Sequence, residues 1–161
     1  MKPFKHHTLK EFSDTLSLKT PVPGGGSAAA LVGVLGVSLI SMTANYSRGK
    51  GLSKLDEKKI RDILAKSEKI RKRILELVDL DARAYLGVVK TRQARPAVKK
   101  KALKKAREVP FEVAQLCYSA LELTPYLVRK GNKHLLSDVR VAAELLLAAF
   151  RSALINVEIN Q

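Results

Sequence analysis

Apolar residues recur every three to four positions along nearly the whole chain, and this spacing most constrains the fold. It predicts a long helix from Ser53 to about Val89, with one apolar stripe and an opposite face rich in Lys, Arg and Glu. The same spacing predicts helices over about 97–130 and 138–157. No stretch alternates apolar and polar residues as a strand would. The sequence therefore predicts an all-α antiparallel helical bundle with long central helices.

Capping residues indicate where several helices begin. Thr8 and Glu11 have the spacing of a capping box, which predicts a short first helix. A second helix is expected over about 27–47, with the serine at its start as the N-cap. Ser137 or Asp138 is expected to cap the last helix, because both residue types are strong N-caps ahead of an apolar helical run.

Prolines and a Gly-Asn pair divide the helix expected over 97–130. Pro110 and Pro125 predict a kink or an interruption, since proline lacks the N–H that a helix interior needs. Gly131 and Asn132 predict the end of this helix, because both residue types are common where helices terminate.

The segment Pro21-Val22-Pro23-Gly24-Gly25-Gly26-Ser27 leads directly into Ala28-Ala29-Ala30 and an apolar helix. Three glycines bring no Cβ into the loop and allow a ligand to approach the main chain. The first turn of the following helix offers free N–H groups and the positive end of a dipole, which suit an anion. The alternative is a plain turn between helices, with Ser27 as its N-cap.

The length of 161 residues fits a single domain spanning 1–161, long enough to bury a core. Cys117 is the only cysteine and lies in an apolar helical pattern, so it is expected to be a buried, inert thiol in a reducing cytoplasm.

The amino terminus lacks the apolar run of a signal peptide. The apolar run Ala28 to Ala44 is shorter than a membrane span and carries hydroxyl residues, so a buried central helix is expected rather than a membrane helix.

The chain is strongly basic, with a formal net charge of +15. Between Ala82 and Arg107 there are ten Lys or Arg residues and no acid. Such a block is typical of a solvated surface or of a field that attracts an anion. Nucleic acid is not favoured as a partner, because the block has no interleaved aromatic residues and no known binding motif. A small polyanion fits the charge equally well.

Six motifs in this order resemble one family, the formiminotetrahydrofolate cyclodeaminases and methenyltetrahydrofolate cyclohydrolases. They are Pro21–Ala30, Asp79–Tyr85, Glu108–Pro110, Gly131–Asn132, Ser137–Val139 and Leu154–Asn160. The resemblance implies an enzyme of one-carbon folate metabolism that works without a metal or another cofactor. It also implies a homodimer, a reduced folate with or without a polyglutamate tail as substrate, and a separate formiminotransferase as a further partner.

The resemblance also selects candidate site residues. Asp81 and Asp138 become the candidates for proton transfer, although Asp138 has the alternative role of a helix cap. Asp81 and Tyr85 are four apart and share a helix face. Asn156 is a candidate for substrate binding, and its alternative role is to link the last helix to residues 21–27, which we call the glycine loop. The full set of substrate-binding candidates is Pro23, Gly24, Gly25, Gly26, Ser27, Tyr85, Ser137 and Asn156.

The chain departs from the family pattern at three places. Arg140 and Glu144 follow the Ser-Asp pair where small residues are usual, and 88–92 reads Val-Val-Lys-Thr-Arg where a Leu-Pro-Lys segment is usual. A non-catalytic protein that binds folate or another polyanion is therefore the alternative to an enzyme.

Overall fold

The computed structural model describes residues 2–49 and 51–160, and all regular structure in these ranges is helical. Short 3-10 turns at Phe4–His6 and Lys133–Leu135 accompany the α-helices. The α-helices are α1 (Leu9–Ser17), α2 (Gly25–Ser47), α3 (Lys54–Lys90), α4 (Pro96–Leu121), α5 (Thr124–Lys130) and α6 (Leu136–Ile159). The prediction of an all-α fold with long central helices is confirmed.

The four long helices form an up-and-down bundle. α2 packs mainly against α3 and α6, and α4 closes the ring by packing against the same two helices. Gly87 and Thr91 at the end of α3 line a groove with Val98 at the start of α4. The Arg73 guanidinium and the Glu112 carboxylate lie 2.7 Å apart near the middle of each helix, so α3 and α4 run antiparallel. The aromatic rings of Tyr118 on α4 and Phe150 on α6 have their centroids 6.3 Å apart, so these two side chains pack between α4 and α6.

Close packing around α2 depends on two glycines in its middle. A Cβ added at Gly33 would lie 2.9 Å from the Cys117 sulfur, and one at Gly36 would lie 2.8 Å from a side-chain carbon of Leu146. Both distances are too short for real atoms, so the missing side chains allow α4 and α6 to approach α2. Cys117 is fully buried, and burial raises the pKa of its thiol to about 12, as expected for an inert thiol.

α2 is the one helix in the described ranges that is long and apolar enough to cross a membrane by length and composition. Within the bundle, 61% of its apolar window is buried against other helices. This arrangement matches the expected buried central helix.

Several helix ends confirm the sequence prediction. The Thr8 hydroxyl accepts the Glu11 N–H, and the Glu11 carboxylate accepts the Thr8 N–H, which completes the capping box of α1. The Ser53 hydroxyl accepts the Asp56 N–H at the start of α3.

Two predicted caps were wrong. α2 begins at Gly25 with Gly24 as its N-cap, so Ser27 lies inside the first turn and its hydroxyl points into the bundle. α6 begins at Leu136 directly after the preceding 3-10 turn, with Leu135 at the cap position, so neither Ser137 nor Asp138 caps it. The sequence shows that Ser137 and Asp138 are good capping residues, but it does not show that the 3-10 turn before them runs directly into α6.

The two prolines behave differently. Pro110 lies buried inside α4 without ending it, whereas the break between α4 and α5 falls at Glu122 and Leu123. This break places Pro125 in the first turn of α5, where its missing N–H costs no helical hydrogen bond.

Candidate active site

The glycine loop leads into α2, which begins at one end of the bundle. Val22 and Pro23 are buried and hold the loop in place, while Gly25 is exposed. The first N–H groups of α2 have no partner within their own helix, as at every helix start. Gly24 has no side chain to cap them. An acceptor for these groups must therefore come from elsewhere.

Asp81 on α3 supplies a carboxyl group at this point. Its Oδ2 lies 3.0 Å from the Ser27 hydroxyl oxygen. A Cβ added at Gly26 would lie 2.5 Å from the Asp81 carboxyl carbon, so only glycine fits there without displacing the carboxyl group. Asp81 lies nine residues before the end of α3, within the helix rather than in its last turn. The structure thus brings Asp81 and the glycine loop together.

The electrostatic environment of Asp81 differs from that of an exposed acid. Burial raises the pKa of Asp81 above its ordinary value, and this outweighs the Ser27 hydroxyl and the Ser27 backbone N–H, each of which favours the charged form where it donates to the carboxyl. A partly buried carboxyl with a raised pKa is suited to giving a proton to a bound substrate.

Asn156 on α6 completes this end of the bundle. Its side-chain oxygen lies 4.0 Å from the position of a Cβ at Gly25. Its amide nitrogen donates to the Ser152 carbonyl oxygen at 2.8 Å, which leaves the oxygen directed to the loop. Tyr85 lies one turn beyond Asp81 on α3 and is 42% exposed. Asp81, Asn156 and the loop form what we call the glycine-loop site.

Ser27 is completely buried, because its hydroxyl is enclosed between α2 and α3. Its role in substrate binding stays a prediction, and the structure shows instead a role within the bundle. The Ser27 hydroxyl instead contacts the Val78 carbonyl oxygen at 2.9 Å as well as Asp81.

Ser137 and Asp138 lie at the opposite end of the bundle. Asp138 precedes Asn156 by 18 residues on the same helix, which corresponds to about 27 Å at the helical rise per residue. The same end holds Asn132, whose N–H donates to the Ser47 hydroxyl at the end of α2. Within one chain, the structure therefore does not bring Ser137 and Asp138 to the glycine-loop site.

Asp79 faces away from Asp81, as the two-residue spacing predicts. The Asp79 carboxylate is buried and accepts the backbone N–H of Phe4 at 2.6 Å. Asp79 therefore fastens the amino-terminal 3-10 turn to α3 and has no contact with the glycine loop.

A basic groove lies between the start of α4 and the end of α6, at the same end of the bundle as the glycine-loop site. It has a volume of about 490 Å³ and lies one helical turn beyond Asn156, whose carbonyl accepts the Asn160 amide. Its lining consists of Pro96, Lys99, Lys100, Leu103, Lys104, Arg107 and Asn160. The sequence identified the basic block, but only the packing of α4 on α6 shows that its lysines line a groove at the same end of the bundle as the site.

Within residues 2–49 and 51–160, no three His, Cys, Asp or Glu side chains are placed to hold a metal ion together.

The fold is shared with a solved structure. The chain superposes on formiminotetrahydrofolate cyclodeaminase from Thermotoga maritima with a TM-score of 0.93 and 32% identity, covering 97% of this chain and 79% of that one. The class is therefore the cyclodeaminase-type helical bundle. The chain belongs to the formiminotransferase-cyclodeaminase family, whose family model matches residues 8–161.

Curated relatives fall into two groups of different length. Methenyltetrahydrofolate cyclohydrolase from Methylorubrum extorquens is 33% identical over 96% of this chain and 79% of its own length. Formimidoyltransferase-cyclodeaminase from Rattus norvegicus is 30% identical over 95% of this chain, which spans only 30% of that protein.

Proposed function

We propose that the protein is an enzyme of one-carbon folate chemistry acting at the methenyl level. The reaction is either cyclodeamination of 5-formiminotetrahydrofolate to 5,10-methenyltetrahydrofolate with release of ammonia, or hydrolysis of the methenyl compound. The observation that carries this proposal is the Asp81 carboxyl, set against the glycine loop in a partly buried position. The names of the relatives support the substrate class.

Both reactions pass through a tetrahedral carbon and need a proton to be moved. In cyclodeamination the amine must gain a proton before it leaves, and Asp81 is the acid proposed to give it. The carbon keeps its oxidation level in both reactions, so the proposed chemistry uses no redox cofactor. The exposed backbone at Gly25 and the Asn156 amide would hold polar edges of the folate. Pro23 and Gly24 would shape the loop, and Tyr85 would border it.

The basic groove is proposed to attract the glutamate tail of the substrate. Four of its lining residues are cationic, and it begins one turn from Asn156. Several closely spaced lysines raise the local concentration of an anion and lose this effect as salt screens them. The tail would thus lie outside the site of chemistry. A formiminotransferase on a separate chain is the proposed source of the formimino substrate, and the proposed location is the cytoplasm.

One assay tests the activity and its alternatives. The purified protein is supplied in turn with 5-formimino- and 5,10-methenyltetrahydrofolate while the methenyl absorbance is followed. An enzyme forms the absorbance from the first compound or removes it from the second faster than buffer alone. A folate-binding protein without activity would bind both compounds and leave both rates unchanged.

Two further arms of this assay test the basic groove. Longer glutamate tails should lower KM, and the effect should weaken as salt rises from 50 to 200 mM. A random DNA duplex serves as a competitor, because binding through six or more phosphates falls by about 10³ or more over this range. Strong inhibition by the duplex at the higher salt would instead favour a nucleic-acid surface.

We also propose that the chain forms a homodimer through the outward face of α2. This helix carries no Asp, Glu, Lys or Arg in a protein of net charge +15, and Leu35 on it is 47% exposed. A two-fold interface needs the same patch on both copies, and an uncharged apolar face meets this condition without repulsion.

Sedimentation at micromolar concentration should give twice the 17.7 kDa mass of one chain. Leu35→Glu should shift the mass to that of a single chain, since it buries a charge in each half of the interface. Leu9→Glu, on the 80% exposed Leu9 of α1, is the matched control and should leave the dimer intact. A wild-type protein that sediments as a single chain would contradict the proposal.

A further inference from the structure

The buried Ser27 hydroxyl has two oxygen neighbours and only one proton. The Val78 carbonyl oxygen lies 2.9 Å from Ser27 Oγ, and Asp81 Oδ2 lies 3.0 Å from it. A carbonyl oxygen can only accept a hydrogen bond, and so can an ionised carboxylate. A hydroxyl that donates to one of them leaves the other contact without a proton.

A proton on Asp81 satisfies all three groups. The Asp81 Oδ2–H then donates to Ser27 Oγ, and Ser27 donates its own proton to the Val78 carbonyl. The Asp81 carboxyl still accepts the Ser27 backbone N–H. With Asp81 ionised, one of the two oxygen–oxygen contacts would hold two hydrogen-bond acceptors at hydrogen-bonding distance with no proton between them. Water cannot relieve this repulsion, because Ser27 is completely buried.

We propose that Ser27 is a positioning residue that stabilises the protonated form of Asp81, by accepting its Oδ2–H while donating to the Val78 carbonyl. The hydrogen-bond count carries this inference, and it does not depend on the proposed activity. Burial of Asp81 acts in the same direction, since it raises the pKa of this carboxyl.

The side chains around Asp81 carry no charge, so the N–H groups at the start of α2 are the opposing influence, and they favour the ionised form. α2 presents Gly26 and Ser27 to Asp81, and Asn156 of α6 lies near the adjoining Gly25, all of them uncharged. On α3 itself, Arg83 borders a different groove between α3 and α4. No ion pair among the described residues includes Asp81.

The consequence for catalysis rests on the proposed function. After N10 has closed on the formimino carbon and the N10 proton has passed to the former imine nitrogen, the neutral Asp81 gives its own proton to that nitrogen. The carbon–nitrogen bond then breaks, and ammonia leaves with the electron pair. The methenyl cation remains beside the newly formed Asp81 carboxylate, and solvent returns a proton to Asp81 before the next turnover. A neutral acid also presents no charge to an anionic folate that approaches the start of α2.

The test is a pH titration of the Asp side-chain carboxyl carbons by NMR in the folate-free protein, with Asp81→Asn identifying the Asp81 signal. We expect the Asp81 midpoint to lie above the ordinary value for aspartate. Ser27→Ala should lower this midpoint, because it removes the acceptor of the acid proton. If the hydroxyl donated to the carboxylate, Ser27→Ala would raise it. A wild-type midpoint at or below the ordinary value, or a midpoint that Ser27→Ala raises or leaves unchanged, overturns the proposal.

A second measurement covers the case in which Ser27→Ala does not fold. The amide introduced by Asp81→Asn can donate to the Ser27 hydroxyl and accept the Ser27 N–H, so it mimics the neutral acid. A group with a raised pKa in the folded state costs the wild type stability as pH rises from the ordinary aspartate value to the Asp81 midpoint. The melting temperature of Asp81→Asn should therefore rise relative to wild type across this range. A constant or falling difference overturns the proposal. Because neither measurement uses folate, each stands even if the protein proves to lack enzymatic activity.

Discussion

Asp81→Asn is expected to lower kcat by about 10²- to 10⁴-fold, the usual contribution of a positioned acid or base. The variant should keep the fold, because the amide retains the size of the carboxyl group and can form the same contacts with Ser27. The loss should appear in the rate of methenyl formation or removal, with the melting temperature close to that of wild type or above it.

Asp62→Asn is the matched control for this substitution. Asp62 lies exposed on the same helix, 19 residues before Asp81, and the same chemical change there should leave kcat unaltered. Asp138→Asn tests the remaining candidate acid. Within one chain Asp138 is too remote to act with Asp81, so a comparable loss would require a site shared between two copies. A fully active Asp81→Asn enzyme would remove Asp81 from the chemistry.

Gly26→Ala should have the largest effect on substrate binding of any substitution in the glycine loop. Its Cβ would collide with the Asp81 carboxyl group, so either Asp81 or the start of α2 must move. Overpacking of this kind costs about 1–3 kcal/mol of stability. We expect a lower melting temperature together with a rise in KM or a loss of folate binding measured by calorimetry.

Gly24→Ala provides the comparison within the same loop. A Cβ at Gly24 would meet no atom within 4 Å, and the Gly24 φ of −132° is open to alanine. This variant should therefore keep the melting temperature of the wild type and leave the Asp81 carboxyl in place, so that any effect on folate binding is smaller than that of Gly26→Ala. Equal behaviour of the two variants, whether both active or both impaired, would show that the contact between Gly26 and Asp81 does not shape the site.

The helices could be predicted because their apolar spacing is a local signal. The stripe on α3 and the capping box at Thr8 and Glu11 are complete within a few turns of the chain, and both were confirmed. The start of α2 was misplaced by two residues because Ser27 has the residue type of a cap. Its hydroxyl instead serves a contact with Asp81, which lies 54 residues further along the chain.

The site was less predictable than the fold for the same reason. Sequence placed Asp81 and the glycine loop among the same candidates, but their contact depends on how α2 packs against α3. The same candidates included Asp138, because a motif shows which residues matter and not at which end of a bundle they lie. The position of the basic groove likewise follows from the packing of α4 on α6.

Asp79 and Asp81 show how a functional screen of this protein could be misread. The Asp79 carboxylate, 6% exposed, holds the backbone of Phe4, and its second oxygen has no partner among the described residues. Substituting it frees the amino-terminal turn and lowers the amount of folded protein. Substituting Asp81 leaves the protein folded and removes the proton donor. Selection by growth alone would score both positions as essential, so only the yield of soluble protein separates the acid that maintains the fold from the acid that serves the reaction.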